Sequence, residues 1–108
     1  MQEIKAIIRP ESLSEVLKAL HAMPDLPGVT ASKVRGYGRR YPLGSEQTFD
    51  EVVRIKLEII VPDSIVAEVV EAVERAAHTG HFGDGRIFVI PVEHAVTIRT
   101  GEHEGRAL

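Results

Sequence analysis

Residues 79–89 read TGHFGDGRIFV, a glycine-rich turn where a predicted helix ends and a predicted strand begins. Gly83 and Gly85 allow the backbone to approach a ligand without an intervening side chain. The N–H groups of such a turn can point at an anion, and Arg86 adds a permanent positive charge beside them. The stretch therefore predicts an anion-binding loop, and the patterns on either side of it indicate the fold.

The segment before this turn has the apolar spacing of a helix. Valine has a low helix propensity, but the spacing and the interspersed alanine and glutamate residues favour a helix over a strand. Asp63, directly after Pro62, is the expected N-cap, and Gly80 is the expected C-terminal cap. The predicted buried face consists of Val66, Val69, Val70, Val73 and Ala77.

Four stretches have strand patterns. Residues 53–61 alternate between apolar and charged side chains and form the clearest strand of the chain. Residues 2–9 alternate in a similar way, and residues 29–37 follow with a weaker pattern. Residues 86–92 come directly after the turn, and Pro91 within them indicates an edge strand or a strand end.

A second helix is predicted between the first two strands. Ser12 and Glu15 have the spacing of a capping box, in which each side chain caps a backbone N–H at the helix start. Pro24, Pro27 and Gly28 end the pattern. The predicted buried face consists of Leu13, Val16, Leu17 and Leu20.

The order strand, helix, strand, strand, helix, strand predicts an α+β fold. It matches the ferredoxin-like βαββαβ arrangement, an antiparallel sheet with both helices on one face, in a single domain spanning residues 1–108. Residues 40–50 are expected to form an exposed loop, and residues 96–99 a further short strand. The sheet face away from the helices is expected to be covered by association, since it would carry Ile7, Ile60, Ile87 and Val89.

Composition narrows the class of protein. The chain has 108 residues, of which 44% are hydrophobic, and this indicates one globular domain. It has no apolar run of membrane-spanning length and no signal peptide, so we expect a cytoplasmic protein. The absence of cysteine excludes disulfides, a thiolate nucleophile and cysteine-bound zinc. The net charge of −3 argues against a nucleic-acid partner, and local arginine groups suit a small phosphorylated ligand.

Several motifs in a fixed order resemble the PII family of signal-transduction proteins. IKAIIRP at residues 4–10 resembles the first strand of the family, and GYGR at residues 36–39 resembles the base of its long T-loop. The stretch 79–89 fits its C-terminal signature, and IRTGE at residues 98–102 resembles its tail. The resemblance covers nearly the full length of the chain.

The resemblance implies a homotrimer with an adenine-nucleotide site in each cleft between subunits. Members of the family bind ATP or ADP competitively and report the result to a partner, which is here expected to be a membrane transporter or a metabolic enzyme. The T-loop, at about residues 38–52, contacts that partner, and the C-terminal tail covers about residues 98–108. The resemblance thus implies a regulator and not an enzyme.

The resemblance also assigns site residues. The phosphate groups would be contacted by the backbone of Gly83, Asp84 and Gly85 and by the side chains of Arg39, Arg86 and Arg99, the last from a neighbouring subunit. The adenine would be recognised by Thr30 and the backbone of Gly28 and Val29, and the ribose by Glu58. The loop base that completes the site would consist of Gly36, Tyr37 and Gly38.

Three departures from the family pattern bear on its ligands. Arg40 stands where the family has a glutamine that joins Mg²⁺ and 2-oxoglutarate, and a cation there repels the metal. Arg54 stands where a lysine pairs with 2-oxoglutarate, and Thr97 replaces a phosphate-binding arginine. These replacements argue against Mg²⁺ and favour ADP or AMP over ATP. The T-loop is also shorter and lacks the tyrosine that some members modify.

Three alternatives remain open from the sequence. A metal-responsive trimer similar to the copper-tolerance proteins would use His78 and His81, whereas the spacing of His94 and His103 indicates nothing specific. A nitrogen-regulatory PII protein would sense 2-oxoglutarate. A slow phosphohydrolase is the third, but no nucleophile–base set or Walker-type lysine motif supports it.

Overall fold

The computed structural model describes residues 1–40 and 48–108, with side chains except at residues 39, 40, 48–50, 105 and 106. Its strands and helices follow the predicted order. They are β1 (Gln2–Ile8), α1 (Leu13–His21), β2 (Thr30–Arg40), β3 (Thr48–Val61), α2 (Val66–Ala77) and β4 (Gly85–Pro91). Short 3₁₀ turns cover Pro10–Ser12, Asp63–Ile65 and Glu104–Ala107.

The sheet has the strand order β2-β3-β1-β4, and every neighbouring pair is antiparallel. This topology and the two helices on one side confirm the predicted ferredoxin-like α+β fold. β4 lies at an edge of the sheet, as the position of Pro91 near its end indicated. β1 and β3 therefore lie at the centre of the sheet and pair with each other.

The core lies between the helices and one sheet face. The buried positions alternate along β1 and β3 and recur every four residues along each helix, as the periods of strand and helix require. Burial of one such aliphatic side chain stabilises the fold by about 1.5–3 kcal/mol. The buried set is Ile4, Ala6, Ile8, Val16, Leu20, Ile55, Leu57, Ile59, Val61, Val69, Val73 and Ala77.

The opposite sheet face, here called the open face, carries charged and apolar side chains in alternation. Lys5 of β1 lies opposite Glu58 of β3 and Phe88 of β4. Two residues further along β1, Ile7 lies opposite Lys56 and Arg86. Since directly opposed residues of an antiparallel pair share a face, the register places these side chains on one surface.

The prediction for the apolar part of the open face was half wrong. Ile7 and Ile60 lie there, but Ile87 and Val89 are opposite Ala6 and Ile4 and therefore face the helices. Ile87 packs against the core. The apolar side chains that β4 contributes to the open face are Phe88 and Ile90. Sequence alternation alone does not show which of two apolar sets of an edge strand points inward.

Ser12 precedes α1 as its N-cap residue, as predicted, but without the predicted capping box, whereas the predicted N-cap of α2 was wrong. Ser12 has helical backbone angles and no capping hydrogen bond from its side chain, because a 3₁₀ turn beginning at Pro10 precedes α1. Asp63 likewise opens a 3₁₀ turn ahead of α2 and is not its N-cap. Gly80 has a positive φ of 87° but lies beyond the C-cap His78.

β2 and β3 continue past the end of β1 as a two-stranded ribbon. Arg35 to Arg40 pair with Thr48 to Val53, so the predicted loop at residues 40–50 is wrong at both ends. Residues 41–47 of that loop lie outside the described residues. Glu51 joins the two strands, since it accepts a hydrogen bond from the Tyr37 hydroxyl and forms an ion pair with Arg35.

Candidate anion-binding site

Asp84 organises the glycine-rich turn between α2 and β4. Its carboxylate accepts hydrogen bonds from the backbone N–H and hydroxyl of Thr79 and from the N–H of Gly80, at 2.5–2.9 Å. Nε of Arg9 donates to the same carboxylate at 3.2 Å. These donors, with those of Thr79 first, hold the pKa of Asp84 far below its usual range. The carboxylate is therefore occupied within the turn, and only the backbone of this residue remains to meet a ligand.

We expect Asp84→Asn to lower the melting temperature near pH 7. A carboxyl whose pKa is depressed in the folded state stabilises the fold above its usual pKa of about 3.9, and this contribution is lost as the pH falls through the lowered value. The difference between the variant and the parent should therefore narrow below about pH 4. Thermal melts followed by circular dichroism across this range test it, and a difference independent of pH would contradict it.

Gly83 lies between two guanidinium groups. A Cβ atom placed on Gly83 would be 3.0 Å from Nη2 of Arg54 and 3.2 Å from Nη2 of Arg9. The same Arg9 nitrogen donates to the carbonyl oxygen of Phe82. Bare backbone thus meets two guanidinium groups, one of which, that of Arg9, is also paired with the Asp84 carboxylate, and guanidinium groups beside bare backbone suit a phosphate or carboxylate group.

Gly85 is required by the fold itself. Its φ is +111°, and a Cβ atom there would be 1.8 Å from the carbonyl oxygen of Ile7 on the neighbouring strand. The glycine therefore permits β4 to begin its pairing with β1. From the sequence, only a ligand-contacting role was predicted for this glycine.

The residues predicted for the adenosine lie along β2 and β3. Thr30 is directly opposite Glu58, and both are on the open face. Glu58 forms an ion pair with Lys56 at 3.6 Å. Val29 packs against the core and Gly28 is exposed just before β2. Because Arg54 shares this face four residues before Glu58, the Cα atoms of the two residues are roughly 13 Å apart along the strand.

The structure brings together only part of the predicted phosphate contacts. Arg86 is exposed on the open face opposite Ile7. Arg99 lies in the turn of a separate C-terminal hairpin, and it forms no ion pair with another described residue. The backbone of Arg39 pairs with that of Phe49, and its side chain is outside the described part.

The predicted loop base lies in the ribbon. Gly36 is on the open face side, where a Cβ atom would be 3.5 Å from Val52. A Cβ atom on Gly38 would have no described atom within 4 Å beyond its chain neighbours. The Tyr37 side chain points to the opposite side of the ribbon and donates to Glu51, so the structure does not bring it to the turn.

Arg9 and Thr79 are site residues for which the sequence predicted no role. Arg9 follows β1 by one residue, and the pairing of Ile8 with Gly85 places it beside Asp84. That contact joins positions 75 residues apart, and only the strand register could have indicated it. In the alternating pattern of residues 2–9, Arg9 falls on the same side as Lys5 and Ile7, and this was a usable signal for its position.

Two further positions bear on ligand binding. The hydroxyl of Thr97, where the resemblance expects an arginine, donates to the carbonyl oxygen of Ala107 at 2.9 Å and so holds the tail. Nδ1 of His81 is 3.3 Å from the hydroxyl of Thr79.

Within residues 1–40 and 48–108, no group of three histidine or carboxylate side chains could hold a metal ion. No described helix is long and apolar enough to cross a membrane.

Comparison with known proteins gives one consistent result. The family model for nitrogen regulatory protein P-II matches residues 1–102. Proteins named nitrogen regulatory protein P-II are 43% identical in Azospirillum brasilense, 46% in Microchaete diplosiphon and 40% in Haemophilus influenzae, with both chains covered over their full lengths. These alignments are longer than the chain, so the relatives carry residues that it lacks. The chain therefore belongs to the P-II family of regulatory signal-transduction proteins.

Proposed function

We propose that this protein binds an adenine nucleotide (ADP or ATP, and also AMP) and thereby regulates a partner protein. The observation that carries the proposal is the pair of guanidinium groups, from Arg9 and Arg54, against the bare backbone of Gly83. The turn is already held by Asp84, so little ordering accompanies binding of an anion there.

The nucleotide lies along the open face with its phosphates at the turn. Arg54 and Glu58 share one face of β3, and the separation of their Cα atoms, roughly 13 Å, suits a ligand with an anionic end and a ribose. Glu58 accepts hydrogen bonds from the ribose hydroxyl groups, and Thr30 recognises the adenine from the neighbouring strand. Arg86, on the same face, gives a further phosphate contact.

Association as a trimer completes the site. The open face holds the apolar side chains of Ile7, Ile60, Phe88 and Ile90 between its charges, and Phe88 is 46% exposed. Covering this face with a neighbouring copy removes apolar surface from water and brings Arg99 of that copy to the phosphates. We expect sedimentation equilibrium to give about three times the chain mass of 11.9 kDa. A monomer at micromolar concentration would contradict this arrangement.

Binding of ADP should not need Mg²⁺. The carboxylate of Asp84 is occupied by four donors, and Arg40 replaces the glutamine that the family pattern pairs with the metal. Arginine groups then balance the phosphate charge. We expect isothermal titration to give the same ADP affinity with Mg²⁺ and with EDTA, within about twofold. A loss of affinity in EDTA would show that a metal ion takes part.

The same titration with ADP, ATP and AMP tests the proposed function itself. Micromolar binding of at least one nucleotide corresponds to about −8 kcal/mol, which several charge-assisted hydrogen bonds can supply. Absent or millimolar binding of all three would contradict it. Inorganic phosphate at the same concentration is the control, because it reports anion binding that does not use the adenosine.

The ribbon and the loop at about residues 38–52 form the proposed contact with the partner, a membrane transporter or a metabolic enzyme of the cytoplasm. The role is regulatory, so incubation with ATP and Mg²⁺ should release no phosphate above the rate without protein.

The names of the relatives favour nitrogen control as a second candidate function. In that case 2-oxoglutarate would raise the affinity for ATP in the presence of Mg²⁺. Because Arg40 and Arg54 replace the residues that the family pattern pairs with 2-oxoglutarate, we expect no change in this affinity.

A further inference from the structure

Two histidines face each other across the C-terminal hairpin. Val96 pairs with His103 as an isolated bridge, and the N–H of Glu104 donates to the carbonyl oxygen of Ala95 at 2.9 Å. These bonds bring His94 and His103 together with their ring centres 5.1 Å apart. Both histidine residues are exposed to solvent.

Glu104 sets the orientation of the His94 ring. The carboxylate accepts a hydrogen bond from Nδ1 of His94 at 2.5 Å, so the proton of the neutral ring is on Nδ1. The lone pair of His94 is then on Nε2, which lies 3.2 Å from Nδ1 of His103. Glu104 has a φ of 56°, uncommon for a residue other than glycine, and this conformation accompanies the contact.

The separation of these two nitrogens fits a shared metal ion. Two nitrogen ligands of a tetrahedral zinc ion, each about 2.0–2.1 Å from the metal, are about 3.3–3.4 Å apart. Metal-binding histidines also commonly donate their other N–H to a carboxylate, and Glu104 already has this relation to His94. His103 needs only to carry its proton on Nε2, a tautomer exchange that neither gains nor loses a proton.

We propose that Nε2 of His94 and Nδ1 of His103 bind one late first-row divalent cation, of the class of Zn²⁺, Ni²⁺ or Cu²⁺. Imidazole nitrogen is a preferred ligand of these ions, and water fills the remaining positions. Glu104 is a positioning residue that holds His94 and does not touch the metal. The cation replaces the hydrogen bond between the two rings and joins the two arms of the hairpin. This site goes beyond the proposed function and uses none of its residues.

Titration of the untagged protein with Zn²⁺ in a calorimeter tests the site. We expect one ion per chain, no binding of Mg²⁺, and loss of the Zn²⁺ signal in both His94→Ala and His103→Ala. A double variant with His78→Ala and His81→Ala is the matched control and should bind Zn²⁺ as the parent does. Absent binding to the parent, or loss of binding only in the control, would overturn the proposal.

A second variant tests the positioning role. Glu104→Gln keeps both ligands but loses the carboxylate, and we expect Zn²⁺ affinity to fall by roughly 10- to 100-fold. Glu102→Gln, on the same hairpin, should leave the affinity unchanged. Because both positions are exposed, circular dichroism should give the same spectrum for the two variants. Equal Zn²⁺ affinities of Glu104→Gln and the parent would contradict the role of Glu104.

Discussion

Gly85→Ala is expected to destabilise the fold by about 3–5 kcal/mol, because it combines backbone strain with steric overlap. The φ of +111° is a conformation that alanine rarely adopts. The new Cβ atom would also be 1.8 Å from the carbonyl oxygen of Ile7, which belongs to the central strand and has little freedom to move. Urea denaturation followed by circular dichroism measures the loss.

Gly28→Ala is the matched control for this substitution. Apart from its chain neighbours, no described atom would lie within 4 Å of a Cβ atom on Gly28, and the φ of this glycine is not positive, so the change should alter stability by less than about 0.5 kcal/mol. A comparable loss in both variants would show that the close approach of β1 and β4 is not the cause. If Gly85→Ala also loses ADP binding, this does not show that Gly85 contacts the nucleotide, since the variant is expected to disturb the whole turn.

The sequence predicted the fold well where one face of an element is buried. The strict alternation along residues 53–61 and the helical spacing of the valines in α2 each specify which side chains enter the core. The order of the predicted strands and helices then matched the ferredoxin-like topology, which the structure confirms. These signals are local, because the period of the pattern and the geometry of the element are both contained in a few consecutive residues.

The errors arose where two interpretations share the same local pattern. β4 has apolar residues on both faces, so alternation could not distinguish Ile87 from Phe88, and the register against β1 decided it. Ser12 had the composition of a cap, but the turn that begins at Pro10 already gives it helical angles. The ends of the predicted loop were wrong because cross-strand pairing extends a ribbon through residues with weak strand patterns.

The candidate site was predictable in its residue types and less so in their roles. The glycines, Asp84 and the arginine after them marked an anion loop. Four donors from three residues occupy the Asp84 carboxylate, which is a property of the folded turn. The contact of Arg9 with that carboxylate depends on the pairing of two strands far apart in sequence, and no motif contains both residues.

Arg54→Ala should weaken ADP binding by roughly 10- to 100-fold while leaving the melting temperature unchanged. One nitrogen of its guanidinium donates to the carbonyl oxygen of the adjacent Val53, and the other faces Gly83, so among the described residues the side chain bonds to no distant segment. Isothermal titration and a thermal melt measure the two quantities separately. An unchanged affinity would place the phosphates elsewhere.

Arg9→Ala should differ from Arg54→Ala in a defined way. Arg9 faces Gly83 as Arg54 does, but it also donates to Asp84 and to the carbonyl oxygen of Phe82. Its loss should therefore weaken ADP binding at least as much and also lower the melting temperature. Arg75→Ala removes an exposed arginine that pairs with Glu71 on the same helix, α2, and it should change neither quantity appreciably. If Arg9→Ala destabilised the protein without weakening ADP binding, this arginine would hold the turn without contacting the nucleotide.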